Sequence, residues 1–306
     1  MRKIHVLVPA TKTLGILKKS KPSKQVKIGR FDPSKLTYFD YVTHFRASLE
    51  NDIDILRQIN RVISPSIMHY YSSQQNRIIA GAKKLSSRSK KEYEAYRNFV
   101  IKGETGTFDI TNKSTYALIE ALDSTGMYSK RVPMFVREMS LVYLVVSFED
   151  FLTSILKSTL VRNPRILKQS DKKLDYKQIV DHSSFDSLLS AIVSTEITHL
   201  FYKDIEEISD YIAHRFNLRL SESADWSKFK EIFYRRNLVI HNNCYPNDIY
   251  IKKTGYTGED TRLTITDDYL SQSFDIFESY AMKITRHFLR KFHKKNKVTK
   301  QILETK

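Results

Sequence analysis

The chain has 306 residues, 41% of them hydrophobic, with eight glycines, seven prolines and a formal net charge of +17. That length exceeds the usual single domain, the apolar content is enough for a core, and so few turn residues argue against a β-rich or loop-rich chain, leaving a mostly helical one. The single cysteine, Cys244, excludes an intramolecular disulfide and a cysteine-based zinc cluster, which favours a reducing compartment.

The charge is local. Residues 1–30 hold nine Lys or Arg and no acid, 161–177 six against two, and 283–306 nine against one; the rest of the chain carries 27 basic and 31 acidic residues. Such segments are the electrostatic footprint of a polyanionic partner such as RNA, set against the plainer possibility of solvated, solubilising tails. Apolar Ile4 to Val8, stopped by Pro9, suggests a short edge strand, and 11–30 reads as a basic arm. From the start signal Asp32-Pro33-Ser34, Val42, Phe45, Leu49, Ile53, Leu56, Ile59 and Ile63 predict one helix that Pro65 ends. A second helix is expected over about Ser66 to Leu85, an exposed basic turn over Lys83 to Lys91, and a third helix over Tyr93 to Ile101. A short helix over Thr115 to Leu122 precedes a loop at Asp123 to Gly126.

After Pro133 the chain becomes strongly apolar through Leu160, with Glu149 and Asp150 set among residues that cover almost every helical face. A central, mostly buried bundle helix is the expectation, because the longest uninterrupted apolar run, Leu141 to Phe148, is far short of the ~20 residues of a membrane span. No export signal is read at the N-terminus, so a soluble, cytoplasmic protein is expected. A basic loop over 161–183, helices over Phe185 to Ile192 and Ile197 to Phe216, and a capping turn at Ser221 to Asp225 follow. The next helix starts near Trp226. Ile249-Tyr250-Ile251 and Leu263-Thr264-Ile265, around Gly255 and Gly258, suggest a short β-hairpin, and Tyr269 to Phe292 a closing helix before a Lys-rich tail.

The helix from Trp226 carries Tyr234-Arg235-Arg236-Asn237-Leu238-Val239-Ile240-His241-Asn242-Asn243, which gathers two guanidinium groups, three amides and an imidazole. Arg and Asn bind phosphate well and His moves protons near neutral pH, so the run points to phosphodiester chemistry. Asn237 and His241, four apart, share a side of the helix, whereas Arg236 lies five before the His and about 140° round the axis. The two converge if the helix ends at the His or if two copies of the motif meet across a two-fold axis. The bland alternative is a His interacting with the helix C-terminus and arginines paired with surface acids.

Arg236-Asn237-Leu238-Val239-Ile240-His241 resembles the Arg-x4-6-His signature of the higher eukaryotes and prokaryotes nucleotide-binding (HEPN) superfamily in its Arg-Asn-x-x-x-His form. The acid-bearing apolar helix before it (Val145 to Leu156, with Glu149) and the closing helix after it extend the likeness over about residues 134–292. The organisation expected is therefore all-α: a basic arm (1–30), a helical N-terminal domain (31–130), a HEPN-like bundle with a small hairpin insertion (134–295) and a basic tail (296–306).

The resemblance implies a metal-independent endoribonuclease acting as a homodimer, with no cofactor and no metal site. Arg236 would hold the scissile phosphate and offset charge in the transition state, a bidentate task suited to Arg. His241 would act on the 2′-hydroxyl or the leaving oxygen as base or acid. Asn237 would hold the phosphate or the imidazole, and Glu149 would orient these groups or tune the His. Arg235, Asn242, Lys294 and Lys295 are RNA-binding candidates, and Arg235 also satisfies the looser spacing, leaving the choice of catalytic arginine open. Members of the superfamily that bind without cutting supply the alternative, a non-catalytic RNA-binding or dimerisation module. By family analogy alone the enzyme extends to a toxin or anti-phage effector with an antitoxin or defence partner protein.

Overall fold

The computed structural model describes residues 37–102, 109–169, 176–259 and 261–292. The basic arm, the edge strand at Ile4 to Val8, the start signal Asp32-Pro33-Ser34 and the tail with Lys294 and Lys295 lie outside them. The described residues belong to one compact unit that begins at Thr37, are helical wherever they are regular, and include no strand.

Helix α1 (Tyr38–Gln58) starts at a reciprocal cap: Asp40 N donates to Thr37 Oγ1 (3.3 Å) and Thr37 N to Asp40 Oδ2 (2.7 Å). Tyr38, Val42, Leu49, Ile53 and Leu56, at the spacing of one face, are its buried residues. Pro65 does not end the helical run. A π-turn (Ile59–Ile63) leads into α2 (Ser64–Ala82), with Pro65 just after the π-turn, where the wider turn makes room for the ring. α3 (Ser87–Ile101) follows from the Ser86 cap.

Helix α4 (Lys113–Arg162) runs 50 residues through the loop expected at Asp123 to Gly126 and through Pro133. Thr125 Oγ1 donates to the carbonyls of Ala121 and Leu122 and Ser129 Oγ to that of Gly126, so the polar residues that suggested a loop turn back onto their own helix. The boundary drawn near residues 130–134 thus falls inside one helix. α1, α2, α6, α8 and α10 all pack on α4. One window of α4 is long and apolar enough, by length and composition, to cross a bilayer, but half of it is buried in the protein. Its apolarity is that of the helix the others surround.

Within the expected basic loop the described residues include a 3-10 turn (Pro164–Gln169) and α5 (Tyr176–Val180). α6 (Phe185–Phe201) and α7 (Ile205–Phe216) break at Asp204, whose carboxylate caps Glu207 N, and not between Ile192 and Ile197. α8 is Trp226–His241 and α10 Asp267–Phe292. Between them the expected hairpin is replaced by α9 (Asp248–Thr254). Asn247 Oδ1 accepts from Tyr250 N (2.9 Å) and Gly255, at φ 70°, closes the helix. A three-residue apolar run is too short for alternation to outweigh a good cap and a left-handed stop. Leu263 and Ile265 instead anchor an irregular segment, by Leu263 N to Cys244 O (2.9 Å) and Arg137 Nε to Ile265 O (2.8 Å).

The largely aliphatic core contains an aromatic cluster. Phe148 of α4 meets Phe229 and Phe233 of α8 and Phe277 of α10 edge-on at 5.4, 6.3 and 4.9 Å, and Phe229 stacks on Tyr280 at 3.8 Å. These contacts hold α8 against α4 and fix which α8 residues face Glu149.

Candidate functional site

Arg235 and Arg236 are neighbours in sequence and belong to different parts of the molecule. Arg236 follows Phe229 and Phe233 on the face of α8 turned to α4, and its Nη2 donates to Glu149 Oε1 in an ion pair. The side chains retain 19% and 29% of their exposure, so the pair is sheltered and reachable from one side. Burial pushes the Glu149 carboxyl above its ordinary range and Arg236 pulls it back only in part. Arg236 Nε is buried and, among the described residues, has no hydrogen-bond partner, so the guanidinium keeps donor capacity beyond Glu149.

Arg235 points into a closed cluster. Its Nε donates to Glu231 Oε1 (2.7 Å), four residues earlier on α8, and its guanidinium lies over the rings of Tyr269 (4.9 Å) and Tyr250 (5.7 Å). Tyr250 and Tyr269 donate their hydroxyls to the same carboxylate, at 2.6 and 2.7 Å. Burial and then the Glu231 carboxylate raise the Tyr250 and Tyr269 hydroxyls, keeping both protonated as donors. Arg235 is thereby committed to joining α8, α9 and α10.

Tyr234, buried at the head of the motif, donates to Glu206 Oε2 (2.8 Å), which also accepts from Lys253 (2.6 Å), while Glu206 Oε1 accepts from Lys230 (2.9 Å). Burial acts to raise Glu206, but its three donors outweigh it and hold the carboxyl down at about 2.

α8 ends at His241, meeting one of the two conditions for convergence with Arg236. The chain then reverses through Asn242, Asn243 (φ 48°) and Cys244 (φ 65°). Leu238 O accepts from both Asn242 N (2.9 Å) and Cys244 N (3.0 Å), and the buried Cys244 sits beside the Glu138–Arg262 pair of α4 and the 261–266 segment. Those anchors hold a non-glycine residue in the left-handed region. Asn242 Nδ2 donates to Tyr245 O (2.7 Å) and so serves the turn. His241 and Asn237 are exposed, and among the described residues their side chains make no hydrogen bond.

The structure therefore joins Glu149 to Arg236, sets Asn237 and His241 in solvent on the last turns of the same helix, and assigns Arg235 and Asn242 to structural bonds. Lys294 and Lys295 lie outside the described residues. Glu231 as the partner of Arg235 was legible from its position four residues earlier; Tyr250 and Tyr269, from separate elements, carried no such signal. Among the described residues no three His, Cys, Asp or Glu side chains converge as metal ligands. No family model matches the chain, and neither a curated protein nor a solved structure matches it.

Proposed function

We propose that the chain is a metal-independent endoribonuclease of HEPN type, acting as a homodimer on RNA in the cytoplasm. The observation that carries this proposal is the sheltered Arg236–Glu149 pair on the α8 face turned to α4, on the helix that ends at His241. Glu149 is a positioning residue that holds the Arg236 guanidinium in place, and an Arg236 N–H not bonded to Glu149 takes a non-bridging phosphate oxygen. His241 accepts the proton of the 2′-hydroxyl as that oxygen attacks phosphorus, and the P–O5′ bond breaks as the protonated His241 of the second copy gives its proton to the 5′-oxygen, leaving a 2′,3′-cyclic phosphate and a 5′-hydroxyl. Asn237, one turn before His241, hydrogen-bonds the phosphate. The 140° between Arg236 and His241 is bridged by a second copy, so that each phosphate is held by both motifs. A toxin or anti-phage effector bound by an antitoxin or defence partner is the family extension of the same activity.

Arg236→Ala and His241→Ala are each expected to lower cleavage of a fluorescent RNA on the order of 10²- to 10³-fold in the presence of EDTA. Cleavage unchanged in both variants, or a strictly monomeric active protein by light scattering, overturns the proposal. That no hydrogen bond among the described residues orients His241 favours one other reading, a non-catalytic RNA-binding or dimerisation module. Tight RNA binding with no cleavage under any condition would decide for it.

A further inference from the structure

A second charged surface lies apart from α8, at the corner between α2 and α3. Residues 64–102 carry eight Lys or Arg and two Glu. Arg77, Lys83, Lys84, Arg88, Lys90 and Lys91 are all exposed, and among the described residues none of them forms an ion pair. Arg88, Lys90 and Lys91 fall within the first five residues of α3, whose first turn holds no acid. Cations at the positive end of a helix oppose its dipole, so the fold alone gives no reason to gather them; a bound polyanion does.

Toward the other end of α2, ~20 Å from this corner, lies an aromatic site. An open cavity of about 350 Å³ between α2 and α4 is lined by Val62, Ile63, Ile67, Tyr70, Tyr71 and Val132. Tyr71 stacks on Tyr128 of α4, with ring centres 5.8 Å apart and planes 24° from parallel, and meets Tyr70 edge-on at 5.3 Å. Tyr70 is 58% and Tyr128 45% exposed, so the cluster offers rings to solvent where a folded interior would hide them. Lys130 and Arg131, both exposed, adjoin Val132 on α4. Arg77 stands two turns from Tyr70 on the same side of α2, ~10 Å along the axis, and Lys83 at the corner follows nearly two turns, ~9 Å, further.

We propose that this face binds single-stranded nucleic acid, with bases seated on Tyr70 and Tyr128 at the cavity and phosphates running along Arg77 to the corner. A basic track beside exposed rings is the arrangement that grips an unpaired strand, since every base has a stacking face. A duplex has its bases already stacked on one another, and an anionic bilayer supplies the charge without a flat ring. The choice of RNA over DNA rests on the ribonuclease proposal; binding itself does not.

The test uses the full chain carrying Arg236→Ala, so that cleavage does not interfere, and measures the anisotropy of fluorescein-labelled oligouridylate across a salt series. Lys83→Ala/Lys84→Ala/Lys90→Ala/Lys91→Ala is expected to flatten the log–log salt slope by up to about 3 and to weaken binding on the order of 100-fold at ~0.15 M salt. Tyr70→Ala/Tyr128→Ala should weaken it roughly tenfold with the slope unchanged, and Tyr70→Phe/Tyr128→Phe should restore it. All six positions are exposed, so circular dichroism should be unchanged. Equal binding by parent and both alanine variants overturns the proposal, as does preference for duplex RNA or phosphatidylserine vesicles over oligouridylate. Cleavage that persists in the corner variant of the otherwise native chain, with oligouridylate binding lost, would confirm the surface and leave the ribonuclease separately intact. An inactive enzyme that still binds through these residues would remove only the ribonuclease.

Discussion

The two halves of α4 are one helix in two environments. From Pro133 to Leu160 it buries Leu141, Leu144, Val145, Phe148, Phe151, Leu152, Ile155 and Leu156 among helices on several sides. From Lys113 to Val132 only Thr115, Leu118 and Ile119 are buried, and Tyr116, Met127 and Tyr128 stand exposed. The buried half gains stability from apolar area removed from water, and its buried Glu138 is held by Arg262 while Ser140, Ser147 and Thr159 are hydrogen-bonded. The exposed half and its neighbour α2 turn the rings of Tyr128 and Tyr70 to solvent, and the α2–α3 corner turns Lys83, Lys84, Lys90 and Lys91 the same way, a poor use of residues for stability and a good one for binding.

Core truncation is the strongest way to break that contrast. Phe277→Ala, which removes a ring touching Phe148, Phe229 and Phe233, should cost about 4 kcal/mol in urea unfolding, whereas Leu118→Ala in the exposed half should cost about 2 kcal/mol or less. Equal losses would mean that both halves share one core. The adjacent arginines sharpen it next. Arg235→Ala strands Glu231 between two tyrosines and is expected to cost roughly 2–3 kcal/mol, while Arg236→Ala, beside a carboxylate that reaches water, should cost about 1 kcal/mol and act mainly on cleavage. The reverse order would place the catalytic arginine at position 235.

A pH series tests the Glu206 cluster that ties α8 to α7 and α9. Its folded value of about 2 lies below the ordinary 4.5, so its contribution is fully present above 4.5 and is lost as pH falls toward 2. Glu206→Gln should therefore flatten the acid limb of the stability curve, and an unchanged limb would show that Lys253, Lys230 and Tyr234 do not act through this carboxylate. The smallest expected effect is that of Asn247→Ala, about 1 kcal/mol by thermal unfolding, from the lost cap of α9.

Much of the fold is legible along the chain. The spacing of Val42, Leu49, Ile53 and Leu56, the start of α8 at Trp226 and the apolar run after Pro133 each report a helix, because burial repeats with the helical period. The misread joints have different causes. Pro65 follows a π-turn that makes room for its ring, Thr125 and Ser129 bond back onto their own helix around Gly126, Asn247 caps α9, and Pro133 is buried among packed neighbours that carry the helix through it.

The candidate site divides in the same way. The sequence by itself determined that two arginines, three asparagines and a histidine lie at the end of one helix, that an acid interrupts the apolar helix before it, and that cations crowd Lys83 to Lys91. Only the tertiary structure decided that Glu149 meets Arg236, that Tyr250 and Tyr269 close over Arg235, and that Tyr71 and Tyr128 stack beside an open cavity. Helical period assigns a side chain to a face of its own helix. Which face meets which depends on the packing of α8 and α2 against α4, and that is set by aromatic contacts between residues far apart in the chain.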